Sequence, residues 1–240
     1  MTLPPAAPLS SHRLDRIDRF LESTVGEAFK HDERLHGLDV QVSVRGGVAH
    51  LTGAVDRPEQ LALVRDLVGR FQGVLAVWDR VVVDGHRPVV LDVGCGGTKQ
   101  YPDNIGVDRR AATGVDVVAD LRDGLPFPDG CADRVFAVHV LEHLVDFLPL
   151  VDECHRVLRP GGILHVLSPW WRYVNAVADP THVRFLDVQT FKGICERQDT
   201  DRRWFPLHAE CDGASVFADL LRVDGDAPAP SAEHLARFFD

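Results

Sequence analysis

The 240-residue chain is poor in several things that would each have pointed to a distinct class of protein. It has one methionine and two tyrosines, and its five cysteines form an odd, scattered set (Cys95, Cys131, Cys154, Cys195, Cys211) with no C-x-x-C. That spacing argues against a disulfide framework and a zinc ribbon, and it favours a reducing compartment. No apolar run approaches the roughly 18 residues that span a bilayer. The opening MTLPPAAPLSSHR lacks a basic stretch followed by an apolar one, so no signal peptide is expected and a cytoplasmic protein is. Positive charge is also short: 26 basic against 36 acidic side chains leave a net charge of −10. A non-specific nucleic-acid partner needs clustered positive charge and is not expected. The deficit is uneven, with 10 basic and 12 acidic groups in residues 1–86 against 16 and 24 in residues 87–240.

The apolar pattern divides the chain. Residues 1–12 read as a flexible lead-in, Pro/Ala-rich over the first ten. Leu14, Ile17, Leu21, Val25 and Phe29 then recur at helical spacing. Val40, Val42 and Val44 alternate with polar residues, Gly46-Gly47 supplies a tight turn, and Val48–Gly53 returns as the second arm of a hairpin. Asp56 is placed to cap the next helix, with Pro58 in its first turn and Glu59 completing a capping box. Gly73 ends that helix and Val74–Val83 reads as one strand. The order is α-β-β-α-β. This stretch, VQVSVRGGVAHLTGAVDRPEQLALVRDLVGRFQGVLAVWDRVVV, resembles a BON module over residues 13–86. The resemblance implies a non-catalytic domain that binds phospholipid or a protein partner; self-association of the chain is a further expectation.

From residue 87 to 240 the pattern changes. Val89–Gly97 is an apolar strand running into a Gly-rich loop. A dinucleotide site would show G-x-G-x-x-G with an acidic residue about 20 positions on, but here Lys99 stands three after Gly96. Asp92 beside the loop disfavours a pyrophosphate and suits a cationic ligand. Strands at Ile105–Asp108, Val115–Ala119, Arg134–His139 and Ile163–Ser168 follow, with a helix around Phe147–Leu158. Their carboxyl ends gather Asp92, Asp108, Asp120 and His139 at one cleft. Trp204–His208 and Val216–Val223 are expected to complete the sheet, before a Pro/Ala-rich stretch at Asp224–Ala232 and a helix to Asp240.

The pieces LDVGCGG, IGVD, ADLRDGLPFPDGCADRVFAVHVLEHL and LRPGGILHVLSP together resemble the class I S-adenosylmethionine-dependent methyltransferases. The resemblance implies an α/β fold with a Rossmann-like doubly wound sheet, behind the small α+β module, and S-adenosylmethionine as cofactor. It places Gly94, Cys95 and Gly96 at the methionine part, Asp108 on the ribose hydroxyls, Asp120 with Leu121 at the adenine, and His139 at the cleft border. Two features depart from the pattern. Thr98 replaces the usual third glycine, and Ile105 follows Gly94 by only 11 positions, too few for an ordinary crossover helix. That first helix is expected to be very short or missing. Lys99 then either reaches the methionine carboxylate or lies solvated.

His139-Val140-Leu141-Glu142-His143 matches the zinc-hydrolase pattern H-x-x-E-H. That chemistry needs both histidines on one helical face, whereas His139 closes a strand, so the stretch is expected to be a strand-end loop and no metal is expected. Asp179-Pro180-Thr181-His182-Val183-Arg184-Phe185, a pattern seen in the same methyltransferase group, is placed to overhang the acceptor side. There His182 is a candidate general base and Arg184 an anion-binding group, or both hold the loop internally. His143 is the competing base. Trp170, Trp171 and Tyr173 are either an apolar acceptor wall or packing. The expected activity is methyl transfer to a small-molecule acceptor. The alternative is a non-catalytic binding protein of the same fold, recruited by its BON module.

Overall fold

The computed structural model describes residues 11–224 and 227–239. The Pro/Ala-rich residues 1–10, two positions in the 224–232 stretch and Asp240 therefore lie outside the described residues. The chain divides into two compact units, 1–88 and 89–240. No helix of the described residues is long and apolar enough to cross a membrane.

In the first unit, α1 (Ser11–His31) is followed by β1 (Asp39–Arg45), β2 (Val48–Val55), α2 (Pro58–Gly69), β3 (Ala76–Asp79) and β4 (Val82–Val83). β1 and β2 pair antiparallel, and β3 and β4 both run parallel to β2. The hairpin turn needs left-handed backbone at two successive residues, and Gly46 (φ 56°) and Gly47 (φ 76°) provide it. Their N–H groups donate to the Asp18 carboxylate of α1 at 2.7 and 2.9 Å, so the helix clamps the turn. The single strand expected over Val74–Val83 is broken at Arg80–Val81, where the Arg80 N–H donates to Leu51 O. The cap of α2 also falls one residue later than expected, at Arg57, and Gln60 rather than Glu59 closes it by accepting from the Asp56 and Arg57 N–H groups.

Val25, Leu51, Val64, Val68 and Val77 form the core of this unit. Within it lies an ion pair between Arg65 and the fully buried Asp79, and Arg65 also donates to Val77 O. Removing one member of a buried pair strands the other charge.

The second unit is one seven-stranded sheet. In chain order it holds β5 (Val90–Val93), β6 (Ile105–Asp108), β7 (Val117–Val118), β8 (Ala132–Val138), α3 (Leu148–Val157), β9 (Leu158–Pro169), α4 (Val174–Ala178), α5 (Val188–Cys195), β10 (Arg203–Cys211), β11 (Ser215–Val223) and α6 (Ala232–Phe239). The spatial order is β10-β11-β9-β8-β5-β6-β7, with the five strands from β9 to β7 parallel and the last two antiparallel. The central strands are buried on both faces, as their continuous Val/Leu runs require. His165 on β9 pairs with Asp219 on β11 at 2.6 Å and stacks on Phe136 of β8, which ties three strands together.

No helix joins β5 to β6. In its place the Gly94–Asn104 loop lies on the sheet, with Tyr101 set edge-on against Phe136 at 5.8 Å. The chain leaves β5 for β6 on one side and returns to β8 on the other, so a crevice opens at the carboxyl ends of these strands.

Asp79→Ala is expected to destabilise the chain by about 3–5 kcal/mol in urea unfolding, because Arg65 is left buried without its carboxylate.

Candidate active site

The crevice is an open cleft of about 720 Å³, within the range of small-molecule sites. Of the residues singled out in the sequence, Gly94, Gly96 and Asp108 line one side, Asp120 and Leu121 another, and His139 and His143 a third. Asp92, Cys95, Lys99, His182 and Arg184 do not line it.

The floor is the loop after β5. Gly94 has φ 66°, and a Cβ there would meet a Val140 methyl at 2.7 Å, so only glycine lets the strand end and the β8 end approach this closely. The Gly94 and Cys95 N–H groups donate to Val107 O. Asp108, the last residue of β6, accepts from Gly96 N at 3.0 Å with one oxygen and from Arg110 N at 2.9 Å with the other. Each oxygen keeps a further acceptor position, as a carboxylate has about four. The Cys95 thiol lies 3.7 Å from Gly96 O and 3.9 Å from Gly114 O, and burial raises its pKa.

Asp92 and Lys99, neither of which lines the cleft, both hold the loop after β5, and Lys99 fits neither of its two expected roles of reaching a ligand or lying solvated. Asp92 is buried and accepts from Gln100 N at 2.5 Å and Asn104 Nδ2 at 3.3 Å, holding the loop that replaces the missing helix. Lys99 reaches back across the same loop to Asn104 O (2.7 Å) and Asp116 (3.0 Å). Asp116 also accepts from Gly106 N, and these two donors lower its pKa. A short crossover leaves no helix to order the loop, so a carboxylate on each side does so.

At the end of β7, Asp120 accepts from Arg122 N and from its guanidinium, which holds the Asp120 carboxyl well below the usual carboxylate range. Arg109, Arg110 and Arg122 line the cleft too. Sequence reasoning missed these cations, although each follows a cleft carboxylate within two positions.

The third wall begins at His139, whose backbone is left-handed (φ 56°), an uncommon conformation for a residue with a Cβ. Its N–H donates to Leu167 O, and its Nδ1 lies 3.1 Å from the buried Glu142 carboxylate. The other Glu142 oxygen accepts from Ser168 Oγ at 2.9 Å. The Glu142 carbonyl accepts from Val183 N and Arg184 N, so the 179–185 segment is fastened to this turn. His143 Nδ1 meets Thr181 O and Oγ1 at 3.2 and 3.1 Å, and Thr181 Oγ1 donates to Asp179 at 2.6 Å. His182 sits edge-on to His143 at 4.8 Å, with its side chain only 8% exposed. Arg184 donates from Nε to Val145 O. Neither residue lines the cleft, and of their two expected roles the contacts seen are those that hold the loop: its backbone is fastened to the Glu142 turn and Arg184 to Val145 O.

Beyond this wall, Trp170 and Trp171 both donate from Nε1 to one oxygen of Asp187, the residue that caps α5. The Arg172 guanidinium stands 5.5 Å from each indole. Trp171, Val145, Val183 and Phe185 are exposed, an apolar surface continuing outward from Leu144 and Thr181 of the cleft.

Burial raises the Asp92 carboxyl to about 6, against the opposing effect of its N–H donors and of Lys99. Its folded pKa lies above the unfolded value, so the folded chain binds more protons between pH 4 and 6. The contribution of this group to stability falls as pH rises through that window and is level above it. The stability of Asp92→Asn minus that of wild type is therefore expected to rise by about 2–3 kcal/mol between pH 4 and 7. Urea unfolding at both pH values measures it, and parallel pH profiles would contradict the assignment.

Residues 95–166 match the family model described as a methyltransferase domain, and residues 18–85 match the BON domain. A probable S-adenosylmethionine-dependent methyltransferase of Mycolicibacterium smegmatis is 42% identical over 169 residues, covering 58% of this chain and 66% of that protein. The ajmaline N-methyltransferase of Rauvolfia serpentina is 34% identical over 35% of this chain, and the chain spans 31% of its length. The ubiquinone biosynthesis O-methyltransferase of Methylocella silvestris is 27% identical, covering 70% of this chain and 72% of that protein. The chain thus spans less than two thirds of the length of the first two of these relatives. Among solved structures, a SAM-dependent methyltransferase from Aquifex aeolicus aligns at a TM-score of 0.44 and 18% identity, over 57% of this chain and 82% of that one. Residues 95–166 thus carry the match to a methyltransferase domain and residues 18–85, ahead of them, the match to the BON domain, and over 58% of its length the chain is similar to a probable S-adenosylmethionine-dependent methyltransferase.

Proposed function

We propose that this chain transfers the methyl group of S-adenosylmethionine to a small-molecule acceptor by in-line displacement, and that its BON unit serves docking or assembly. The observation that carries the reading is the meeting, at the ends of β5, β6 and β8, of the Gly94–Gly96 turn, the Asp108 carboxylate and His139 in one cleft. The residues present suit the cofactor: glycines that admit close approach to the backbone, a carboxylate for a pair of hydroxyls, and Leu121 beside Asp120 for an adenine edge. When bound, S-adenosylmethionine supplies a methyl group on a good leaving group.

The protein's share is then chiefly position. The acceptor atom must stand about 3–3.5 Å from the methyl carbon, in line with the bond that breaks. His139 is oriented by Glu142 through Nδ1, which leaves Nε2 to take a proton from a hydroxyl or ammonium acceptor. This group replaces His182 as the preferred base, since His182 is packed behind the wall. The exposed Trp171, Val183 and Phe185 favour an acceptor with an apolar body.

Calorimetry with S-adenosylmethionine and with its demethylated product is the direct test. Asp108→Ala is expected to weaken binding roughly 10–100-fold, the loss of charge-assisted hydrogen bonds. No heat with either compound would overturn the reading. Binding without turnover across a broad acceptor screen would instead favour a non-catalytic binding protein. For a hydroxyl acceptor, His139→Gly, which suits the left-handed backbone, is expected to lower kcat roughly 10²–10⁴-fold.

A further inference from the structure

The wall of the cleft holds a second cluster that methyl transfer from a sulfonium does not require. Among the described residues, Glu142, His143 and His182 bring one potential ligand atom each to within 4.8 Å of one another. These are not the two histidines of the H-x-x-E-H pattern: His139 points into the cleft beside Glu142, and His182 comes from a different loop, 39 positions after His143.

The hydrogen bonding around the two imidazoles decides which nitrogens are available. His143 Nδ1 faces a carbonyl, Thr181 O, which can only accept, so Nδ1 carries the proton and Nε2 keeps its lone pair. On His182, Nε2 faces Asp179 Oδ2 at 3.8 Å, whereas Nδ1 is buried with no hydrogen-bond partner among the described residues. A buried nitrogen lone pair left unsatisfied is costly. Both rings are thus backed by the same outer group: Asp179 faces His182 directly and reaches His143 through Thr181 Oγ1. A carboxylate or carbonyl behind each imidazole is the arrangement that orients metal-ligating histidines and raises their basicity. The third member, Glu142, is a buried carboxylate whose side-chain partners are His139 and Ser168, and neither is a permanent cation.

We propose that Glu142, His143 and His182 form a binding site for a divalent cation of the zinc type, with Asp179 and Thr181 as its outer support. Two imidazoles and one carboxylate form a three-ligand set that leaves a fourth position open. Tetrahedral bonds of 2.0–2.1 Å would draw the ligand atoms to about 3.4 Å apart, a closure of no more than about 1.5 Å in a surface loop. Each carboxylate oxygen has a second acceptor position, so Glu142 can ligate without releasing His139. His143 and Thr181 line the cleft, which sets the ion in its wall. Its role, resting on the proposed methyl transfer, is to hold an oxygen of the acceptor and to lower the pKa of that group.

The test is equilibrium dialysis of the full, tag-free chain against Zn²⁺, with bound metal counted by mass spectrometry. One zinc per chain is expected in wild type and less than a tenth of that in His143→Ala and His182→Ala at the same free zinc. Asp179→Asn is expected to weaken zinc binding roughly 10–100-fold. His31→Ala, at an exposed histidine of α1, controls for adventitious uptake and is expected to match wild type. Cobalt(II) titration of wild type is expected to give the strong visible bands of a tetrahedral site, a readout that needs no variant to fold. No stoichiometric zinc in wild type, undiminished zinc in both histidine variants, or octahedral cobalt bands alone would overturn the site. Calorimetry with S-adenosylmethionine on metal-free protein is read separately, so failure of the cation site and failure of the methyltransferase reading are distinguishable.

Discussion

The carboxylate of Glu142 and the turn that carries it tie together the half of the cleft built by the end of β8 and the 179–185 segment. One oxygen orients His139 and the other accepts from Ser168 at the end of β9. Its carbonyl receives the two N–H groups that hold the 179–185 loop. A buried carboxylate is tolerated only when its hydrogen bonds are made, and here the groups that make them are the ones that shape the cleft. The turn therefore sets the left-handed residue at the strand end, the imidazoles above it and the start of the apolar wall at once.

The half of the cleft built by the loop after β5 is organised differently. Where a crossover helix would ordinarily order the first loop by packing, Asp92 does so by accepting from the loop's Gln100 N–H, and Asp116 by accepting from Lys99 and from Gly106 N of β6. Tyr101 restores some of the lost cover over Phe136. The two halves meet at Gly94 and Val140, where the absence of a side chain on one permits the methyl groups of the other.

Much of this was legible in the residues. The positions of the strands along the chain followed from apolar runs punctuated by Gly and Pro, and a very short or missing first helix followed from counting positions between Gly94 and Ile105. Gly94, Gly96, Asp108, Asp120, Leu121 and His139 share the cleft because each stands at or just after a strand end, a property local to the chain, and His143 joins them from the turn that follows β8. Lys99 and Asp92 escaped the reading because their partners, Asp116 and Asn104, are fixed by how the short loop folds back. Between the two readings of His182 and Arg184 the residues alone did not choose, because what holds their loop is a turn 40 residues away. The break in the last strand of the BON unit is likewise invisible in Val74–Val83, where nothing but the register on β2 interrupts the pattern.

The bare loop after β5 also bears on which cofactors the site can choose. A helix starting there would aim the positive end of its macrodipole, worth about half an elementary charge, into the cleft. That fixed field is what attracts the pyrophosphate of a dinucleotide to related sheets. Among the described residues, this chain offers no helical start between β5 and β6. The positive charge that remains sits on arginine side chains, one of them already committed to Asp120. The backbone dipole that would draw a polyanion to this loop is therefore absent, and no single side-chain substitution would restore it.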